Sequence, residues 1–250
     1  RSTRVRSSAA SDVYKGQEGH SFGNLFLSAL TAITGSLETA ITASSRVLAV
    51  QGQVVPATNV DVRLWAELEN GDRIDGESAI GKAPLPIIRI GCYPSRPPAL
   101  PRALEAIRNA EIILIGPGSL YTSILPNLLV PEIVEAIEKS KAPKLYVCNL
   151  MTQPGETDGL DVTGHVRAIE AQLASRGISR KIFSSILAQD ELKPSPLVDY
   201  YKSKGAEPVK CNKIDLLSRG YNVYLASLQG SKVTPTSVSY THLRAHETSL

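Results

Sequence analysis

"EIILIGPGSLYTSILPNLLVPEI", residues 111 to 133, runs from an apolar stretch through Gly116-Pro117-Gly118-Ser119 into hydroxyl-bearing residues and on toward a second patterned segment. A short apolar run stopped by glycine and proline reads as a buried strand. "PEIVEAIEKS" (131–140) then repeats apolar positions at helical spacing. Strand followed by helix is half of a βαβ unit, and the pattern continues on both sides. Before it stand the strand "PIIRIGCY" (86–93) and the helix "ALPRALEAIRNA" (99–110); after it come the strand "KLYVCNL" (144–150), the helix "DVTGHVRAIEAQLASRG" (161–177) and the strand "KIFSSILA" (181–188). Apolar strands separated by amphipathic helices predict an α/β fold with a mostly parallel sheet covered on both faces.

Upstream the pattern changes. From Ser21, residues Phe22, Leu25, Phe26, Ala29, Leu30 and Ile33 share a helical face that Gly35 ends, and Ser36 caps a second helix carrying Leu37, Ala40, Ile41, Ser44, Val47 and Leu48. Alternation at Val62, Leu64 and Ala66, followed by Glu69-Asn70-Gly71-Asp72, predicts a small β-hairpin segment.

With 42% hydrophobic and 20% charged residues among 250, the chain has enough material for a core. Its net charge of +3 is concentrated at the start, where Arg1, Arg4, Arg6 and Lys15 face Asp12 alone. The body is balanced, which argues against nucleic acid as a partner. Residues 1–17 and 238–250 show no apolar period and resemble translated sequencing-adapter sequence, so both are expected to be non-native or disordered tails; an organellar transit peptide is the rival reading of the first. Residues 18–237 then form the α/β domain. Cys92, Cys148 and Cys211 are widely spaced and suggest neither a disulfide framework nor a metal site, which fits a reducing cytoplasm. No apolar run is long enough for membrane insertion as a helix.

In open α/β sheets ligands bind beyond the carboxyl ends of the strands. Two loops lie there. In the first, glycine allows close backbone approach, first-turn amides point outward, and Ser119, Thr122 and Ser123 add hydroxyls, which together suit a phosphate; an ordinary strand-to-helix turn with Ser119 as N-cap fits the composition equally. The second, "LMTQPGETDGLDVTGHV" (150–166), is long and polar enough to suggest binding. Asp161 reads as a helix N-cap, Pro154-Gly155 as a turn and His165 as structural. Three acids in six residues do not have the spacing of a known metal loop. His20 and Asn24, at the start of the first helix, are a third candidate.

Together "GHSFGNLFLSALTAITG" (19–35), "SRVLAVQGQVVPAT" (45–58), "IGPGSLYTSILPNLLVPEI" (115–133) and "CNLMTQPGETDGLDVTGHV" (148–166) resemble the bacterial gluconeogenesis factors, or YvcK-like proteins, relatives of the 2-phospho-L-lactate transferases (CofD-like). The resemblance implies a Rossmann-like three-layer α/β/α fold and a cytoplasmic regulatory protein that binds a nucleotide sugar such as UDP-N-acetylglucosamine. It also implies a role in gluconeogenic growth, cell-wall synthesis and regulation of cell shape. It points to Gly116, Gly118, Ser119, Tyr121, Thr122 and Ser123 as an anion-binding turn, with Asn149, Thr152, Gln153 and Glu156 as a second wall and His20 and Asn24 nearby. A binder without chemistry is expected; the alternative is a 2-phospho-L-lactate transferase-like enzyme, which would bring Mg2+. Family members begin with a glycine-rich strand-turn-helix and an Asp- and Gly-rich loop, so the chain is expected to be the C-terminal portion of a longer protein. The sequence sets no oligomeric state, and a homo-oligomer is compatible with it.

Overall fold

The computed structural model describes residues 29–47 and 52–229. Residues 29–34 are helical and Gly35, at φ 78°, follows; the predicted start of that helix lies outside the described residues. Helix α1 (Leu37–Val47) begins as the sequence suggests, with the Thr39 amide donating to Ser36 Oγ at 3.2 Å.

Two sheets follow. Strands β1 (Arg63–Leu68), β2 (Arg73–Asp75) and β3 (Ile87–Tyr93) form an antiparallel sheet in the order β2-β1-β3, and a single helical turn, α2 (Glu77–Ile80), follows β2. Strands β4 (Ile113–Ile115), β5 (Lys144–Val147), β6 (Ser185–Gln189) and β7 (Asn222–Ala226) form a parallel sheet in chain order. Helix α3 (Pro101–Arg108) joins the two sheets; α4 (Leu125–Asn127) and α5 (Pro131–Lys139) cross from β4 to β5, α6 (Val162–Ala174) from β5 to β6, and α7 (Pro196–Ser203) with α8 (Lys213–Ser218) from β6 to β7. The starts are written locally. Pro101 and Pro131 occupy first-turn positions where no amide donor is needed, while Asp161, Ser195 and Asn212 accept from the backbone three residues on.

The expected hairpin is β1–β2, with Ala66 opposite Ile74 and Gly71 at φ 85° in its turn. "PIIRIGCY" is a strand, but it joins this antiparallel sheet and not the parallel one, a correction to the regular alternation. Its partner is β1, from Arg63 opposite Tyr93 to Glu67 opposite Arg89. The pairing is filled on its polar face by Trp65, whose indole lies across Gly91 so closely that a Cβ there would come within 2.2 Å. The Arg73 guanidinium covers the same ring at 4.2 Å. The outer edge of β3 is closed by a side chain from α6. Gln172, 1% exposed, accepts from the Ile90 amide at 2.9 Å and donates to the Ile90 carbonyl at 3.0 Å.

The core centres on Tyr146, Leu120, Leu125, Ile169, Ile186 and Leu216, all buried, with Phe183 stacked between Tyr146 and Tyr221. One face of the parallel sheet, through Ile115, Tyr146, Ile186 and Val223, is covered throughout. On the other, Leu145 and Leu187 are half-buried while Leu114 and Tyr224, on the edge strands, are 53% and 57% exposed. Cover on that face is therefore thinner at the edges than the apolar strand pattern suggested. The Gln172 clamp has a measurable consequence: Gln172→Leu leaves the Ile90 N–H and C=O without their partner in the interior and should cost about 2–4 kcal/mol, read as a lower urea midpoint with unchanged slope.

Candidate functional site

The site forms where β4 and β5 end side by side. Beyond Ile115 the chain turns at Gly116, φ 82°, through a cis Gly116–Pro117 peptide. Only glycine fits the first position, because a Cβ would lie 2.7 Å from the Val147 carbonyl oxygen of β5. Leu120–Ile124 then form one π-helical turn, with the amides of Ser123 and Ile124 both donating to the Ser119 carbonyl at 2.9 Å. The sequence predicts a helical turn here; it takes the wider π form, and Tyr121 and Thr122 bond to the second loop.

That loop is hydrogen-bonded to the turn instead of standing across a gap. Asn149 grips one residue from both sides: its Oδ1 accepts from the Gly118 amide at 3.0 Å and its Nδ2 donates to the Gly118 carbonyl at 2.8 Å. Leu150 to Thr152 then run along the segment before α8, where the Thr152 amide donates to the Glu207 carbonyl and the Thr152 hydroxyl accepts from the Glu207 amide. A tight turn follows, in which the Glu156 and Thr157 amides share the Gln153 carbonyl and the Gln153 amide donates to Thr157 Oγ1. Gly155, at φ 83°, lets this turn press against the backbone of Gly81 and Lys82.

Glu156 is the centre of the arrangement. It is 5% exposed and makes no ion pair among the described residues. Its Oε1 accepts from Thr122 Oγ1 at 2.9 Å and from Gln153 Nε2 at 2.8 Å, and its Oε2 accepts from the Tyr121 amide at 3.2 Å. Gln153 Oε1 in turn accepts from Ser119 Oγ at 2.6 Å. Burial pushes the carboxyl above the usual range; the bonds from Thr122 and from the backbone of Tyr121 and Thr122 pull it back, and the Glu77 carboxylate pushes it up again. Burial and the nearby Glu156 raise the Tyr121 phenol to about 12, so it stays a neutral donor, and it donates to the Ile87 carbonyl of β3 at 3.0 Å.

The structure therefore brings together Gly116, Gly118, Ser119, Tyr121, Thr122, Asn149, Gln153 and Glu156. Ser123 is exposed and Thr152 is turned away toward Glu207. His20 and Asn24 lie outside the described residues. Ser119 makes no side-chain cap; its hydroxyl and that of Thr122 are spent on Gln153 and Glu156. Asp161 is the N-cap of α6, accepting from the Gly164 amide at 2.7 Å. His165 is fully buried with Nδ1 2.9 Å from the Asp161 carbonyl oxygen, and burial lowers its pKa so that it is a neutral core imidazole. Burial raises the Cys148 thiol to about 12, which removes it as a nucleophile. Among the described residues no group of three His, Cys, Asp or Glu side chains is placed to hold a metal ion, and no single helix is long and apolar enough to cross a membrane. Glu77, Gly81 and Glu207 border the site without any sequence signal, since nothing local ties them to a loop some 50 to 80 residues away.

Residues 5–229 match the family model described as 2-phospho-L-lactate transferase CofD. The chain is 51% identical over 213 residues to a protein of Nostoc sp., an alignment covering 85% of this chain and 46% of that protein. It is 43% identical over 205 residues to the gluconeogenesis factor of Bacillus subtilis, covering 82% and 63%. A crystal structure of a UPF0052 family member from Bacillus halodurans superposes with a TM-score of 0.76 at 42% identity, covering 86% of this chain and 68% of that one. The chain thus spans about half to two thirds of the length of the curated relatives it matches.

The two glycines of the turn differ in what they tolerate. Gly116→Ala meets both the positive φ and the Val147 carbonyl and should destabilise by more than about 2 kcal/mol, whereas Gly118→Ala, whose Cβ would sit 3.6 Å from Ser123 Cβ, should cost under about 1 kcal/mol in the same thermal melt.

Proposed function

Because the chain belongs to the CofD family and its relatives include the gluconeogenesis factors, we propose that it is a cytoplasmic regulatory protein that binds a nucleotide sugar of the UDP-N-acetylglucosamine type. In this reading the bound sugar reports carbon supply to cell-wall synthesis and, through it, to cell shape. The observation that supports the reading is the Gly116 to Thr122 turn at the carboxyl end of β4, where glycine lets backbone approach closely beside the Asn149 to Glu156 loop. A binder is favoured over a catalyst because, among the described residues, the acid and hydroxyls of the site are committed to one another.

The description of the matching family favours a second reading, transfer of a phosphate-containing group from a nucleotide-activated donor. Such chemistry commonly uses Mg2+. The described residues offer no cluster fitted to that ion, so no step is derived through it.

Calorimetric titration with UDP-N-acetylglucosamine, beside UDP and N-acetylglucosamine alone, tests the proposal on this chain and on the longer B. subtilis relative. Saturable binding is expected, weakened at least about tenfold by Ser119→Ala or Thr122→Ala, because each loosens a hydrogen bond that shapes the turn. Binding unchanged in both variants would move the site elsewhere; no binding by either protein would remove the nucleotide-sugar reading.

A further inference from the structure

The carboxyl of Glu156 is buried, held among the described residues by neutral donors, and placed where the turn and the 150–160 loop meet. Thr122 Oγ1 and the Tyr121 amide reach it from the turn, and Gln153 Nε2 reaches it from its own loop. An ionised carboxylate in such a place has lost its hydration and gained no cation. The same group returns to water if the loop lifts. We propose that closure of the 150–160 loop onto the turn is proton-dependent, the closed loop taking up a proton at Glu156 and opening as that proton is lost.

The sign follows from burial. The closed state holds Glu156 above the usual carboxylate range, and an open, hydrated state does not, so protons bind the closed state more tightly. Below the ordinary carboxylate range both states are protonated and opening is at its floor. As pH rises through the interval between the two pKa values the open-to-closed ratio grows up to about tenfold per pH unit, and it levels off above the closed-state value. Other groups facing the carboxyl do not supply this response. Tyr121, raised to about 12, stays neutral throughout. Glu77, on α2, adds like-charge repulsion and widens the pH interval over which the loop opens. Asp158, exposed within the loop, accepts from the Gly155 amide of its own turn and serves as the control. Lys82, whose backbone touches Gly155, is exposed and makes no ion pair with Glu156.

The device deepens the nucleotide-sugar reading, because the loop borders the proposed site, yet its test needs no ligand and can fail independently. Hydrogen exchange of the Glu156 and Thr157 amides, both bonded to the Gln153 carbonyl, is followed between about pH 5 and about pH 9 and divided by the intrinsic rate of an unprotected amide. Protection should fall several-fold as pH rises in the wild type and in Asp158→Asn, and should be flat in Glu156→Gln, which has no proton to lose. Flat protection in the wild type, or an unchanged slope in Glu156→Gln, overturns the proposal. Should Glu156→Gln not fold, the carboxyl-carbon titration of Glu156 in the wild type decides: a pKa above the ordinary glutamate range supports the latch, and an ordinary one refutes it.

Discussion

A buried glutamate with no cation beside it organises the carboxyl end of this sheet. Glu156 joins the turn after β4 to the loop after β5, and two of its partners have a second task. Gln153 passes the linkage on to Ser119, and Tyr121, whose amide holds the carboxylate, anchors the turn to β3 through its phenol. The two sheets are tied together at this point by side-chain to backbone bonds as well as by the apolar core. Gln172 repeats the device on the far edge of β3, where one amide side chain satisfies both polar groups of a single residue, as Asn149 does for Gly118. Such clamps substitute for strand pairing where irregular backbone must stay buried.

The same geometry changes how the turn is understood chemically. Free amides at the start of a helical turn attract anionic ligands, and here the oxygens bonded to Tyr121 and Thr122 are those of the chain's own Glu156 carboxyl. Any anionic ligand in the proposed site would meet a turn whose hydroxyls already have partners. On the proposed reading, a ligand bound there and the position of the second loop would be coupled through the Glu156 carboxyl.

Much of this was legible in the sequence because the signals were local. The strand at 113–115, the helix caps at Ser36 and Asp161, and the hairpin around Gly71 each depend on residues within a few positions. "PIIRIGCY" was legible as a strand but not in its sheet, because an apolar run with one flanking helix looks alike whether its neighbour is β1 or β4; the deciding contacts, Trp65 over Gly91 and Gln172 on Ile90, come from 26 and 82 residues away. Composition and resemblance mark the candidate residues, yet their mutual bonding has no local signal. A serine and a threonine beside a glycine-rich turn look the same whether they face a phosphate or a glutamine and a glutamate 34 residues downstream. The stretch beyond Ala188, which supplies α7, α8 and β7, carries shorter patterns broken by proline and lysine, and its pairing with β6 is a tertiary outcome.

A double-mutant cycle between Thr122→Val and Glu156→Leu, with stability measured by urea unfolding, tests most directly whether turn and loop form one bonded unit. A coupling energy of at least about 1 kcal/mol is predicted, since each variant removes one partner of the same bond. Effects that add within about 0.5 kcal/mol would contradict the account and leave the two segments as neighbours that fold independently.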